Sequence, residues 1–325
     1  MSDPRDRDRP FAVVGGGIAG VACAQALQAA GLPVVVYDRG RRIGGRMAVR
    51  EVDGHVVDIG ASYFTVPEGD DAFAAVVAGW EERGLARRWT DTFHVAEGGT
   101  LTGTKAGPLR WAGTAGLRPL VDDLARGLVV EQGVEVEDVG PGPSVDGTPV
   151  RAAVLAMPGP QAADLMSDEL DGAVEAAAST DWEPCLALYA GWSERSWTEV
   201  DGVFVNGSPV LDWVADDGRR RGDGAPVLVA HSTAALAADH LDDPDAAVPA
   251  LLGALCDLLE VGREPSWVKV RRWSLARPAR AREEPWFLSD VGVGLCGDGW
   301  NAPSRVAGAY GSGRLLGEEL ARRYG

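Results

Sequence analysis

Residues 11–40 read FAVVGGGIAGVACAQALQAAGLPVVVYDRG. A short apolar run, Phe11 to Val14, passes through Gly15-x-Gly17-x-x-Gly20 into an alanine-rich segment. A second apolar run, Val34 to Tyr37, then delivers Asp38. Strand, glycine turn, helix and strand in that order predict the first unit of a parallel α/β sheet that binds a dinucleotide. The glycines answer three steric demands: a tight turn, close approach of backbone to a pyrophosphate, and close packing of helix on strand. The helix start at Ile18 and Ala19 then turns free N–H groups and the positive end of its dipole toward the phosphates. Asp38 is placed to accept hydrogen bonds from an adenosine ribose, and its charge disfavours a 2′-phosphate. The motif alone leaves NAD and FAD both open.

The next stretch, RRIGGRMAVREVDGHVVDIGASYF at residues 41–64, departs from an NAD-binding pattern, in which a helix would follow soon after Asp38. Here a Gly-Gly-Arg loop leads into two short strand-like pieces. Arg42 and Arg46 offer fixed guanidinium charges to a pyrophosphate, and Gly44 and Gly45 let the backbone run close to a flat ring. This spacing resembles the RxGGR signature of FAD-dependent amine-oxidase-type flavoproteins. Ala48 and Val49 stand where that group often has hydroxyl residues.

Near the C-terminus VGLCGDGWNAPSRVAGAYGSGRLLGEEL, residues 293–320, repeats the strand-turn-helix theme. A strand from Val291 to Cys296, the turn Gly297-Asp298-Gly299 and a helix from about Pro303 are predicted, the proline suiting a first turn where its missing N–H costs nothing. In flavoproteins of this kind a late Gly-Asp pair holds the ribityl and phosphate part of FAD. The following helix aims its N-terminus at the flavin edge where negative charge develops on reduction. FAD is long enough to need both ends of the chain. The small residues, Gly308 and Gly311 among them, also suit plain close packing of the helix.

Between the ends, Val134 to Val139 alternates as a strand, and Val150 to Ala156 reads as a buried strand ending in a turn, Met157 to Pro160, that starts another helix. The stretch GPGPSVDGTP reads as a turn. DWEPCLALYAGW, GVFVNG, PVLDWVAD, APVLVAHST and SWVKVRRWSLARP look like strands of one mixed or antiparallel sheet, with a helix from Pro244 to Leu259. The expected fold is therefore α/β: a Rossmann-type FAD-binding domain of parallel strands and helices plus a mixed-sheet α+β substrate domain. Residues 10–60, 119–169 and 289–325 are assigned to the first, 61–118 and 170–288 to the second, and 1–9 to a disordered tail without the apolar core of a signal peptide.

Composition narrows the partners. A net charge of −17 repels nucleic acid phosphates and anionic lipid, so neither nucleic acid nor a membrane is an expected partner. Four scattered cysteines, Cys23, Cys185, Cys256 and Cys296, form no CxxC pair; they read as reduced core residues of a cytoplasmic protein, with no metal site. A monomer is expected. The basic run Lys269, Arg271, Arg272, Arg277, Arg280 and Arg282 reads as a solvated face or, more sharply, as a positive entrance for an anionic dinucleotide.

The motifs GGRM, DIGASYF, LDWVADDGRR, LVAHST, RRWSLARP and GLCGDGW, in this order across nearly the whole length, resemble the bacterial branch of the renalase family. The resemblance implies an FAD-dependent oxidase of the 2-dihydro and 6-dihydro isomers of NAD(P)H that passes electrons to oxygen. It implies that Tyr63, His231 and Trp273 lie at the flavin face. Non-covalent FAD contacts are implied at Gly15, Gly17, Ile18, Ala19, Gly20, Asp38, Arg39, Arg42, Gly45 and Arg46. Others are implied at Gly60, Ala61, Ser62, Val136, Met157, Pro158, Gly297, Asp298, Arg305 and Val306. Ser62 replaces the glutamine usual in that family, a departure that bears on the substrate.

A dihydropyridine releases hydride to regain aromaticity, so its oxidation demands placement more than an acid or base. A chain with four histidines and two lysines satisfies that demand. Amine oxidation needs proton loss and an aromatic cage, and Arg305 stands where the cage pattern would place a ring. An amine oxidase or desaturase of a specialised small molecule remains the alternative, and a flavin-binding module without turnover the second.

Overall fold

The computed structural model describes residues 9–262 and 264–325. All of the tail expected at 1–9 except Arg9 lies outside the described residues. The chain divides into two discontinuous units: the chain through Gly45 with Leu120–Trp182 and Arg277–Gly325, and Arg46–Pro119 with Glu183–Ala276. The first boundary falls at Gly45 where 60 was expected. Residues 46–60 side with the second unit because their hairpin, Val49–Val52 with His55–Asp58, packs there. Ile59, Val57 and Val52 join Tyr189, Val227 and Val229 in one apolar cluster, and Asp58 accepts a hydrogen bond from the Leu117 N–H at 2.8 Å. The later boundaries, expected at 169–170 and 288–289, fall at Trp182 and Arg277.

The first unit is built on a six-stranded sheet in the order Phe287–Leu288, Val293–Leu295, Ala153–Leu155, Phe11–Val14, Val34–Asp38 and Val129–Gln132. All neighbours run parallel except the Phe287–Leu288 edge. Val14 is in register with both Leu155 and Tyr37, and Leu155 with Leu295. Four neighbouring strands therefore end at one level, so that Gly15, Asp38, Ala156 and Cys296 emerge along one edge, where open parallel sheets bind ligands. The central strands Phe11–Val14, Ala153–Leu155 and Val293–Leu295 are continuous apolar runs, as burial on both faces requires. Two helices, Ile18–Ala29 and Val306–Tyr324, approach closely: a β-carbon on Gly313 would fall 1.9 Å from the Ala19 carbonyl oxygen, and one on Gly317 2.5 Å from that of Cys23. Gly308 and Gly311 instead face Asn301 and Pro303 of the preceding loop.

Several expected elements are corrected. Residues 134–138 form no strand; only Val139–Gly140 does. The amides that a ladder would use are taken by side chain and loop: Glu137 and Asp138 N–H donate to the Asp146 carboxylate at 2.9 and 3.0 Å, and Val134 N–H to the Asp38 carbonyl at 3.1 Å. The strand that does extend the sheet here is Val129–Gln132. GPGPSVDGTP is more than a turn, since Val139–Gly140, Ser144–Val145 and Thr148–Pro149 make a small three-stranded sheet. The strand predicted at Val150 to Ala156 is trimmed to Ala153–Leu155, and the last helix starts at Val306.

In the second unit an eight-stranded sheet runs in the order Trp267–Pro278, Trp182–Gly191, Val227–Ser232, Leu211–Asp216, Gly202–Asn206, Ala86–Glu97, Thr100–Gly113 and Phe64–Thr65. It contains all five strands expected from the sequence. Gly202–Asn206 and Ala86–Glu97 run parallel, which makes the sheet mixed. Period-two alternation divides its faces. Leu186, Leu188, Leu228 and Ala230 pack with Leu251, Leu255 and Leu259 of the helix Val248–Leu259, whereas Tyr189, Val227 and Val229 turn to the hairpin face. Among the described residues no helix is long and apolar enough to cross a membrane.

Asp58 is 1% exposed in this unit, and burial pushes its carboxyl up to about 7, opposed by the Leu117 N–H and by the Arg221 and Arg118 charges. A carboxyl that holds its proton more tightly in the folded state contributes stability at acid pH, and that contribution is lost as pH rises toward the folded value. Thermal unfolding between about pH 4 and 7 is expected to show the wild type losing Tm relative to Asp58→Asn as pH rises; parallel curves would contradict this.

Candidate active site

At the sheet edge of the first unit, Gly15 adopts φ +111°, and a β-carbon there would lie 2.5 Å from the Ala156 carbonyl oxygen. Only glycine satisfies both constraints. Gly17 differs: it has ordinary extended angles, and nothing lies within 4 Å of where its β-carbon would be. Gly45 comes near this loop, its β-carbon position 3.5 Å from the Gly17 Cα. The helix begun by Ile18, Ala19 and Gly20 has no side-chain cap and no acidic residue in its first turn. Its N–H groups and dipole are thus left for an anion.

The Asp38 carboxylate accepts from the Gly16 and Gly40 N–H groups, both at 2.7 Å, which locks the loop and leaves each oxygen a further lone pair. Gly297, at φ +142°, has open space around it, and Asp298 accepts from the Ser304 hydroxyl at 2.9 Å. Arg305 is the extended N-cap residue before Val306, and this helix too lacks a side-chain cap and first-turn acids. Met157 and Pro158 precede the helix Gly159–Leu165, while the Val136 side chain is buried in the core. Arg39 and Arg42 lie at the surface, paired with Glu135 at 3.7 Å and Asp122 at 3.2 Å.

In the second unit the segment Ile59–Tyr63 links two aromatic walls. The Trp273 indole N–H donates to the Ile59 carbonyl at 2.6 Å, and a β-carbon on Gly60 would meet the Arg46 carbonyl oxygen at 2.1 Å and the Trp273 ring at 3.2 Å. Ala61 N–H donates to the Arg46 carbonyl, and the Arg46 guanidinium to the Ala276 carbonyl at 3.0 Å. Ser62 accepts from the Trp213 indole N–H at 3.1 Å through its hydroxyl, and from Arg220 at 2.6 Å through its carbonyl. Tyr63 follows, packed on Phe93, Trp213 and Trp89 with ring centroids 5.3, 5.6 and 6.2 Å away. His231 is the cross-strand partner of Trp213. Tyr63 and His231 therefore share a neighbourhood through Trp213, while Trp273 belongs to the other wall.

Several residues here were not singled out from the sequence: Trp213, Phe93 and Trp89 build the Tyr63 wall, and Arg220 holds the Ser62 carbonyl; Arg271, named in the basic run, lies over Trp273 at 5.0 Å. The alternation in LDWVAD, which sets Trp213 and Ala215 on one face, was the available signal for the first; a lone Arg in DDGRRR gave none for Arg220. The basic run is dispersed: Arg282 lies over Trp300 and bonds Ser179, whereas Arg271 covers Trp273.

Residues 91–319 match the family described as flavin containing amine oxidoreductase, and residues 13–79 match an NAD(P)-binding Rossmann-like domain. The chain belongs to the flavin-containing amine oxidoreductase family. It is 39% identical to polyamine oxidase 1 of Oryza sativa subsp. japonica over 112 residues, 30% of this chain and 22% of that protein. It is also 31% identical to mitochondrial protoporphyrinogen oxidase of Nicotiana tabacum over 98 residues, 30% of this chain and 19% of that protein. The chain thus spans about a fifth of the length of these curated relatives.

Among solved structures, cyclohexylamine oxidase from Brevibacterium oxydans IH-35A has a TM-score of 0.73 at 13% identity, covering 98% of both chains. A putrescine oxidase triple mutant has a TM-score of 0.75 at 16% identity, covering 97% of this chain and 99% of that one. At such identities the likeness is one of fold.

Membership of a flavin-containing family implies FAD as the cofactor, and the residues fit it: two uncapped helix starts, the space beside Gly17 and the open turn at Gly297 lie in one unit. Gly17→Ala is expected to leave the apo-protein's Tm unchanged, since alanine suits these angles, while lowering FAD affinity at least ~10-fold in a flavin fluorescence titration, about 1.4 kcal/mol. Unchanged affinity would remove Gly17 from the site.

Proposed function

We propose that the chain is an oxidase of dihydropyridine dinucleotides, the 2-dihydro and 6-dihydro isomers of NAD(P)H. The substrate loses a hydride and becomes the pyridinium; the hydride's electron pair and proton, with one further proton from solvent, reduce oxygen to hydrogen peroxide. Bound FAD supplies the two-electron relay between them. The observation that carries the reading is the Arg271 guanidinium over Trp273. The guanidinium held there repels an alkylammonium and uses up the ring's attraction for a cation, a penalty that an uncharged dihydropyridine ring does not meet. Around Arg271 the neighbouring charges include Arg50 and Arg272, of the same sign. An anionic dinucleotide is drawn to such a wall, and a flat pyridine ring suits it.

The chain's residues then bind and orient. Trp273, fixed by Ile59, and Tyr63, fixed by its aromatic neighbours, serve as walls for a planar ring, and His231 offers a polar contact beside Trp213. No side chain need remove a proton from carbon, in keeping with the aromatic surroundings of Tyr63. Gly15, Gly17, Asp38, Gly297 and Asp298 are the proposed grip on FAD.

The second reading, an amine oxidase or desaturase, draws on the stretch shared with polyamine oxidase 1 and on 39% identity over 75 residues to a carotenoid 3,4-desaturase of Haloarcula japonica. The deciding measurement is anaerobic mixing of the FAD-loaded protein with the isomers obtained by borohydride reduction of NAD+, following flavin absorbance. Rapid bleaching that 4-dihydro-NADH does not reproduce, reversed by air with release of hydrogen peroxide, is expected. A flavin that stays oxidised with every isomer but bleaches with a polyamine would overturn the proposal in favour of the second reading.

A further inference from the structure

Arg110 is 5% exposed, yet among the described residues no carboxylate pairs with it. Its guanidinium carbon sits 4.0 Å from the centroid of Phe93, and one of its N–H groups donates to the Asp91 carbonyl. The strand pairing sets Arg110 opposite Thr90, and the register shifts on either side of Thr90, so an irregular hairpin carries the side chain over the ring. Gly107 makes room for it: a β-carbon there would lie 2.8 Å from an Arg110 terminal nitrogen. A guanidinium does not give up its proton in a protein, and a buried charge is ordinarily met by an opposite one. Here the protein supplies only a ring face and one carbonyl.

A second donor with no acceptor belongs to the same cluster. The Trp89 ring lies 5.1 Å from Phe93, and its indole N–H is closed off from solvent without a hydrogen-bond partner. Tyr63, assigned above to the substrate wall, touches both rings. Unmet donor capacity, positive charge and proximity to Tyr63 coincide in one place.

We propose that Arg110 is a specificity-determining residue that receives a phosphoryl group of the substrate, with Trp89 completing the cluster. A planar fork of N–H donors matches a phosphate's oxygens, and shelter from water strengthens the pair. This rests on the dinucleotide reading for the identity of the substrate but not for the existence of the anion site.

The test uses FAD-loaded wild type, Arg110→Met and Arg110→Lys in calorimetric titrations with inorganic pyrophosphate, NAD+, nicotinamide mononucleotide and nicotinamide riboside, which lacks phosphate. Arg110→Met is expected to weaken the three phosphate-bearing ligands at least ~10-fold and to leave the riboside unchanged, with Arg110→Lys in between. Equal weakening of all four ligands would make Arg110 a structural residue, and no weakening, or no binding of any phosphate-bearing ligand to the wild type, would overturn the proposal. If pyrophosphate binds through Arg110 but no dihydropyridine isomer is oxidised, the anion site stands and the dinucleotide reading falls alone.

Discussion

One fully buried guanidinium ties together the parts of the second unit that carry Asp58, Asp217 and Ser62. Arg220, 0% exposed, meets Asp58 of the hairpin at 3.2 Å, Asp217 on its own helix, and the Ser62 carbonyl at 2.6 Å. Arg221 pairs with Asp217 as well, and Asp58 also takes the Leu117 N–H. Placing a charge out of water is costly and is offset only by partners of good geometry; Asp217 supplies the opposite charge, and the Asp58 carboxyl and Ser62 carbonyl supply acceptors. The compensation here comes from two stretches far apart in the chain, one carrying Asp58 and Ser62 and the other Asp217. The hairpin, the Asp217–Arg221 helix and the segment carrying Tyr63 cannot shift independently without exposing an unpaired charge. That constraint gives Ser62 a fixed carbonyl, Trp213 a fixed acceptor in the Ser62 hydroxyl, and Tyr63 a fixed ring environment.

The first unit solves its positioning problem by different means. It depends on backbone approach rather than buried charge: parallel strands ending at one level, Gly15 against Ala156, and two helices brought together at Gly313 and Gly317. Both uncapped helix starts depend on this, because a bulkier residue at either contact would push a helix away from the sheet. The contrast fits the ligand proposed for each unit. A pyrophosphate is recognised by N–H groups and a dipole, which need the bare backbone exposed. A flat ring is recognised by aromatic faces, whose orientation must be fixed by side-chain bonds.

The backbone-determined half was therefore the legible one. Gly15, Gly17, Asp38, Gly297 and Asp298 could be placed from local spacing because strand, turn and helix are sequential. The strands of the second sheet were legible for a similar reason, since APVLVAHST and PVLDWVAD are short apolar runs of the kind that form buried strands. Local pattern misled where side chains captured the backbone: Val134 to Val139 alternates well, but Asp146 takes its amides. The hairpin Ala86–Glu97 with Thr100–Gly113 went unread because much of its second strand is exposed and broken by Gly103, Gly107 and Pro108, leaving little apolar alternation. Arg110 and Arg220 were equally invisible in role. A guanidinium's function depends on which ring or carboxylate lies across the fold, and no spacing within one segment records that.

The placement of cations also resolves a tension in the composition. A net charge of −17 acts against an anionic substrate at long range, yet ionic screening confines that effect to roughly 8 Å at physiological salt. Inside that distance only local charge counts. In the second unit Arg271 lies over Trp273 and Arg110 over Phe93. An aromatic ring with a guanidinium on one face loses its attraction for an ammonium ion. On the proposed function, these two cation–ring contacts are what turn a fold shared with oxidases of amines toward a flat, negatively charged substrate.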